Sequence, residues 1–345
     1  MTRDNIAGKL CIGIASALLC AILGAPPARA DPLKLRLGYQ AIPDKFAPFL
    51  ERRLDVVPHL GRSYEVELLA FQASSIEITA LATGDVDFAL LGYSSFGIAL
   101  DGAKMDDVRL VFDVYRDGVP GYYSFDLAVR KDSPIRTIED LKGKVLATNA
   151  SGSVVDIAMR YVLKKHGLED KRDYTALEVP LGNMFPMLMA HKVDLVSLAT
   201  NSMHEPKIAA EVRTLFKEKD AFGPTAFAFY CARAGFLERN RAVLADFFED
   251  VVRAQRWVLD PANRKEVLPM VAKIAKQPPE LLASYYLLPG EDNYRDPDSR
   301  PDIAALQRNL DAMLELGFVK SRVDAASHTD LSFLDAAVRK LNEGK

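Results

Sequence analysis

The chain has 345 residues, with 44 basic and 47 acidic side chains, five histidines and three cysteines. An apolar fraction of 49% beside 26% charge is ordinary for a globular protein and excludes wholesale disorder. The mild acidity excludes nucleic acid as a main partner, because phosphate binding needs a clustered surplus of Lys and Arg. At about 100–200 residues per domain, this length fits two domains or lobes, each able to bury a core.

Residues 1–9 are short and mostly polar, residues 10–23 run uncharged, and Ala28-Arg29-Ala30 offers small residues at a cleavage point. This is the three-part pattern of a secretory signal, predicted to occupy residues 1–30 and to be cut after Ala30. A membrane span needs about 20 apolar residues, and Pro26-Pro27 ends this run too soon. Arg3, Lys9 and Arg29 leave against Asp4, so 41 basic and 46 acidic groups remain, a net charge of about −5. Cys11 and Cys20 leave as well, and Cys231 alone makes no internal disulfide. It lies in the apolar run 227–232, the setting of a buried structural thiol. The histidines are scattered without ligand spacing, and there is no G-x-S-x-G elbow, P-loop or Rossmann glycine fingerprint. No catalytic residue, metal or cofactor is expected.

Leu33, Leu35 and Leu37 alternate with Lys34 and Arg36, a half-buried strand that stops at Gly38-Tyr39-Gln40. Phe46, Phe49, Leu50 and Leu54 then take helical spacing. A strand is predicted over 64–71, and Ser74, with Glu77 at the capping-box offset, opens a helix that Gly84 closes. Strands follow at 85–91 and 109–115. A second cycle has strands at 125–130 and 144–147, with a short helix capped at 137–140 between them. Val154, Ile157, Ala158, Tyr161 and Val162 then form a helical stripe ending at Gly167, and 193–198 is a late strand. The cycles echo each other: ALATGDVDFALLG at 80–92 and MLMAHKVDLVSLA at 187–199 each run from a helix end through Val-Asp to an apolar strand. Beyond Phe236 the pattern turns helical, with core-facing stripes at Leu244, Phe247, Phe248, Val251 and Val252 and again at Leu306, Leu310, Met313 and Leu314. Residues 292–301 form a polar loop without assignable chemistry.

The segments LRLGYQAIPDKFAPFLERRL, SSIEITALATGDVDFALLGYSSF, IRTIEDLKGKVLATNASGSVVDIAMRYVLKKHGL and LELGFVKSRVDAASHTDLSFLDAAVRKL together resemble the periplasmic substrate-binding proteins of ABC importers. The branch is that of the nitrate-, sulfonate- and taurine-binding proteins, similar in fold to thiamine-precursor binders. The resemblance implies a two-lobed α/β fold of the type II periplasmic binding class, with a helical C-terminal part. Its two crossing strands would lie near 121–125 and 223–229, giving lobe one as 31–122 plus 228–345 and lobe two as 123–227. It implies a periplasmic monomer that traps a small molecule between the lobes and delivers it to a membrane permease. The alternatives are a ligand-presenting part of a sensor system, a thiamine-precursor binder, or an enzyme of the same fold. Fungal enzymes of that fold resemble a cysteine- and histidine-rich site that Cys231 alone does not reproduce.

In open α/β sheets ligands sit beyond the carboxyl ends of the strands, where helices begin with free N–H groups and a positive dipole end. The sharpest candidates are Asn149, Ser151, Gly152 and Ser153, between a predicted strand and its helix. Ser153 reads equally as a helix cap, with Asp156 three residues on, and that carboxylate partly offsets the field an anion would feel. Lobe one offers Gln40, Gln72, Ser74, Tyr93 and Ser94 as donors following strands, with Ser74 also a cap candidate. Tyr123 adds aromatic surface, Asn183 opens a helix, and Asn201 lies in Ala199-Thr200-Asn201, where many relatives carry an aromatic-acid-proline step. Lys45 and Arg116 read as solvated surface residues. A bound anion would then rest on neutral donors. The expected ligand is a small organic anion, a sulfonate or carboxylate, with an aromatic body suggested by Tyr93, Tyr123 and Phe125.

Overall fold

The computed structural model describes residues 31–40, 43–71 and 74–344, so the expected signal segment and Gln72 lie outside the described residues. Leu33–Lys345 forms one unit, built on β1 (Leu33–Tyr39), β2 (Tyr64–Ala70), β3 (Phe88–Leu91), β4 (Val108–Asp117), β5 (Asp126–Arg130), β6 (Val145–Thr148), β7 (Thr175–Glu178), β8 (Val196–Leu198), β9 (Val212–Lys217) and β10 (Thr225–Arg233). The first sheet has the order β2-β1-β3-β10-β4. Strands β1, β2 and β3 are parallel, and β10 runs antiparallel between β3 and β4. In the second, β8-β5-β9 is antiparallel and β6-β7 parallel. A bridge from Leu146 to Leu195 joins these two ribbons, giving β7-β6-β8-β5-β9. The two orders correspond strand for strand, and β3 and β8, which carry the Val-Asp echo, are the third strand of each.

The inner strands β3, β8 and β10 are covered on both faces, which is why they read as near-continuous apolar runs. Phe88, Leu90 and Tyr230 meet the long helix Arg241–Leu259 through Leu244, Phe247, Phe248 and Val251, while Ala89, Leu91, Phe229 and Cys231 face the helices Tyr93–Asp101 and Ile303–Glu315. The alternation along β10 follows from the strand period of two. In the second sheet Leu127, Val129 and Leu146 pack on the helix Val154–Lys165, and Ala128, Ala147 and Val196 on the helix Leu181–Met189. The former helix ends as its sequence predicts: Leu168 N–H returns to Leu163 O over 2.9 Å around Gly167, a Schellman closure. The chain leaves the first sheet at Asp117, enters the second at Asp126, leaves β9 at Lys217 and returns at Thr225. Thr225, Ala226 and Phe227, placed by the sequence reading in lobe two, are therefore strand residues of the first sheet.

Four local readings are corrected. The stripe from Phe46 to Leu54 shrinks to a 3₁₀ turn and the four-residue helix Ala47–Leu50, and Leu50 and Leu54 are exposed. Glu77 is buried, and among the described residues it bonds away from its own helix start: its Oε1 accepts from Leu90 N–H at 2.9 Å, and its Oε2 accepts from the Gln40 amide. Lys45 is fully buried, donating to Asp113 O and to Ser299 Oγ at 2.7 Å, and burial pulls its ammonium down to about 8. Arg116 is also committed, with Nε 3.2 Å from Asp113 Oδ2 and its guanidinium over the Tyr294 ring. The two cations fasten the polar loop around Tyr294 and Ser299 onto β4. In sequence Lys45 looks solvated because its partners lie about 70 and 250 positions away.

Candidate functional site

The two sheets face each other across a seam closed by side chains from both. Tyr93, at the start of the helix after β3, is fully enclosed and donates its hydroxyl to Val154 O at 2.9 Å, in the first turn of the helix after β6. Lys164 Nζ stands 3.3 Å from Glu315 Oε1 and donates to Glu315 O. Thr200, beyond β8, donates to Asn293 Oδ1 at 3.2 Å. Clefts of about 360 Å³ and about 290 Å³ lie on this seam, the first against Tyr161, Phe222 and Glu315, the second against Arg160, Lys164 and Phe318. Neither is lined by a candidate ligand residue of the sequence reading.

The loop after β6 is built as an anion cradle that already holds its own carboxylates. Gly152, at φ +74, turns its N–H onto Asp156 Oδ2 at 2.8 Å, and Ser151 N–H donates to Glu178 Oε1 at 2.8 Å. Asp156 is fully buried and bound by Arg160 Nε at 2.8 Å, while burial holds its carboxyl above the ordinary range. Ser153 is the helix cap, accepting from Asp156 N–H at 3.3 Å and donating to Asn149 Oδ1 at 2.7 Å. Ser151 and Asn149 remain exposed.

The other predicted residues divide. Gln40 is exposed, but its amide is engaged by Glu77 and by Leu90 O at 3.2 Å. Burial drives the Glu77 carboxyl up to about 8. Ser74 begins its helix half-buried, and Ser94 is buried one position after Tyr93. Tyr93 and Tyr123, expected as cleft paving, are core groups: Tyr123 donates to Asp126 Oδ2 at 2.5 Å and to Leu198 O at 3.3 Å. Asn183 is exposed near the start of its helix, and Asn201 is half-buried in the short helix Thr200–Met203. Of the predicted residues, Tyr93 thus reaches Val154, the first residue of the helix that Ser153 caps, whereas Gln40 pairs within the first-sheet side.

Sequence reasoning placed the crossings near 121–125 and 223–229 but missed the side chains that gather there. Tyr115, Phe227 and Phe125 stack as three half-buried rings, with centroids 5.1 Å and 4.8 Å apart. Beside them, Asp117 accepts from Ser124 Oγ at 2.5 Å, Phe125 N–H at 2.9 Å and Asn293 at 3.1 Å, and burial lifts its carboxyl to about 7. Glu218 is fully buried, pushed well up by burial and then by the Asp117 charge. Arg116-Asp117-Gly118 resembles a surface turn and Lys217-Glu218-Lys219 a solvated charge run, so neither gave a signal. The stack was visible only as isolated aromatics.

The family described as NMT1/THI5 like matches this chain over residues 63–263, more than half its length. YtlA of Bacillus subtilis, named as a binding protein, is 24% identical over 186 residues, 52% of this chain and 53% of YtlA. The chain thus spans about half the length of that curated relative. The periplasmic aliphatic sulphonate binding protein SsuA from Escherichia coli superposes with a TM-score of 0.66 at 21% identity, over 86% of this chain and 97% of SsuA. The desulfurization enzyme DSZB gives 0.66 at 14% identity, over 90% and 99%. At these identities the likeness is one of fold. Among the described residues no helix is long and apolar enough to cross a membrane.

Proposed function

The chain belongs to the NMT1/THI5-like family, and we propose that it is a periplasmic solute-binding protein that clamps a small organic anion and hands it to the permease of an ABC importer. The observation that carries this reading is the pair of like-ordered sheets, joined by two crossings and meeting across a seam. A hinged clamp needs that geometry, and ligands of open α/β sheets sit at such strand ends. The ring stack Tyr115–Phe227–Phe125 supports a ligand with an apolar or aromatic body. Because Asp156 and Glu178 occupy the N–H groups of Gly152 and Ser151, an anion here relies on side-chain donors, Ser151 and Asn149 first among them. Neutral hydrogen bonds contribute about 0.5–1.5 kcal/mol each, and micromolar binding needs about 8 kcal/mol, so donors from both halves and apolar burial must combine.

The enzyme DSZB shares the fold, but we read no catalytic role here. Cys231 is fully enclosed and burial pushes its thiol far up, which leaves no thiolate to attack a substrate. Mass spectrometry of solute carried through gentle purification, followed by calorimetry with nitrate, alkanesulfonates and aromatic carboxylates, tests the proposal. Binding only of neutral or cationic solutes overturns the anion. Ser151→Ala should weaken binding of the solute so identified by about 1–3 kcal/mol with little change in the melting temperature of the solute-free protein. A fall in stability with unchanged affinity would make Ser151 structural.

A further inference from the structure

Asp117 ends β4 where the chain leaves the first sheet, and Glu218 follows β9 where it starts back, so one acid stands at the root of each crossing. Glu218 is fully enclosed, and among the described residues neither of its side-chain oxygens has a hydrogen-bond partner. The ionisable groups around it are Asp117 and Tyr115 on β4 and Tyr93 on the helix after β3. None of them is a cation. Lys217, the preceding residue, is held 3.0 Å from Asp126 Oδ1 and over the Tyr123 ring, and Lys219, the following one, is exposed. Asp117 is committed to Ser124, Phe125 and Asn293. A carboxylate shut from water beside a second acid, with no donor and no cation, is strongly disfavoured against the neutral acid. Tyr93, whose hydroxyl feels the Glu218 charge, is itself held by the hydrogen bond to Val154 across the seam.

We propose that closing the two halves on each other takes up one proton at Glu218, making the crossings a proton-binding site coupled to the clamp. The inference rests on the clamp reading above but not on the identity of the solute. In the open form Glu218 meets water and ionises in the ordinary carboxyl range; in the closed form it is neutral. Closure is therefore favoured by acid and opposed by base.

Small-angle scattering of the solute-free protein from pH 5 to pH 9 tests this. Linkage to one proton raises the ratio of open to closed molecules by up to about tenfold per pH unit, while Glu218→Gln, an uncharged mimic of the protonated side chain, stays closed across the range. A wild-type open fraction that ignores pH overturns the proposal, as does a Glu218→Gln profile that follows the wild type. Should the variant fail to fold, a wild-type open fraction that is flat or falls with rising pH still overturns the proposal. No solute enters the experiment, so a failure of the importer reading and a failure of this inference are separate results.

Discussion

Gly92→Ala should hold the two halves apart. Gly92 has φ −91 and ψ 170, extended backbone that alanine adopts without strain, so the substitution acts through space alone. A Cβ at this position would lie 2.6 Å from Val154 Cγ2 and 3.0 Å from Phe227 O. The first contact crosses the seam; the second stays on the first-sheet side. Overpacking of a tight contact costs about 1–3 kcal/mol. Opening the clamp relieves the Val154 contact, so the closed form should lose about 5- to 150-fold in population against the open one. Scattering profiles at fixed pH read this as a larger open fraction, while the melting temperature changes little because neither sheet is rebuilt. Val154→Ala added to Gly92→Ala removes the offending methyl and should restore most of the closure. A single variant as closed as wild type, or a double variant no better than the single, refutes the assignment of this contact to the seam.

Tyr93→Phe removes the hydroxyl that reaches Val154 O and should cost the closed form about 0.5–1.5 kcal/mol; faster amide exchange around residues 152–155 would report it, and unchanged exchange would refute it. Glu77 has its carboxyl raised to about 8 by burial, so its contribution to stability is complete below about pH 4.5 and is lost as pH rises through 8. Relative to Glu77→Gln, the wild type should therefore weaken between pH 5 and pH 8 by up to about 1.4 kcal/mol per unit; parallel urea midpoints across that range would count against it. Lys45→Met leaves the Asp113 region buried without one of its two cations and should destabilise by about 3–5 kcal/mol in urea melts, with a loss under 1 kcal/mol contradicting the placement.

The strands that were legible are those whose apolar pattern is strong over a short window. Leu33, Leu35 and Leu37 marked β1, and the Val-Asp echo marked β3 and β8 at matching places in two sheets. β7 is a four-residue strand of largely exposed residues, and β9 mixes Arg213 and Lys217 into its run, so neither carries a clean period of two. The capping-box reading of Glu77 failed because a carboxylate three residues past a serine is ambiguous until its other neighbours are known, and Leu90 lies thirteen positions on. The same limit governs the site. Asp156, read as a cap partner of Ser153 and a partial counterweight to an anion, also occupies the Gly152 N–H; Asp117 and Glu218 look like solvated charges until the two crossings are laid side by side.

The position of β10 has a consequence for how the molecule is made. Every strand of the second sheet lies between Asp126 and Lys217, so that sheet is complete in one uninterrupted stretch. The first sheet is not: its fourth member in space is its last in synthesis, and among the described residues β4 has no strand partner other than β10. A chain emerging from the ribosome or a translocation pore can finish the inserted sheet while the enclosing one still carries two open hydrogen-bonding edges. Bare edges of this kind invite pairing with other chains, so the interval before Arg233 emerges is when a growing chain most needs a protective chaperone.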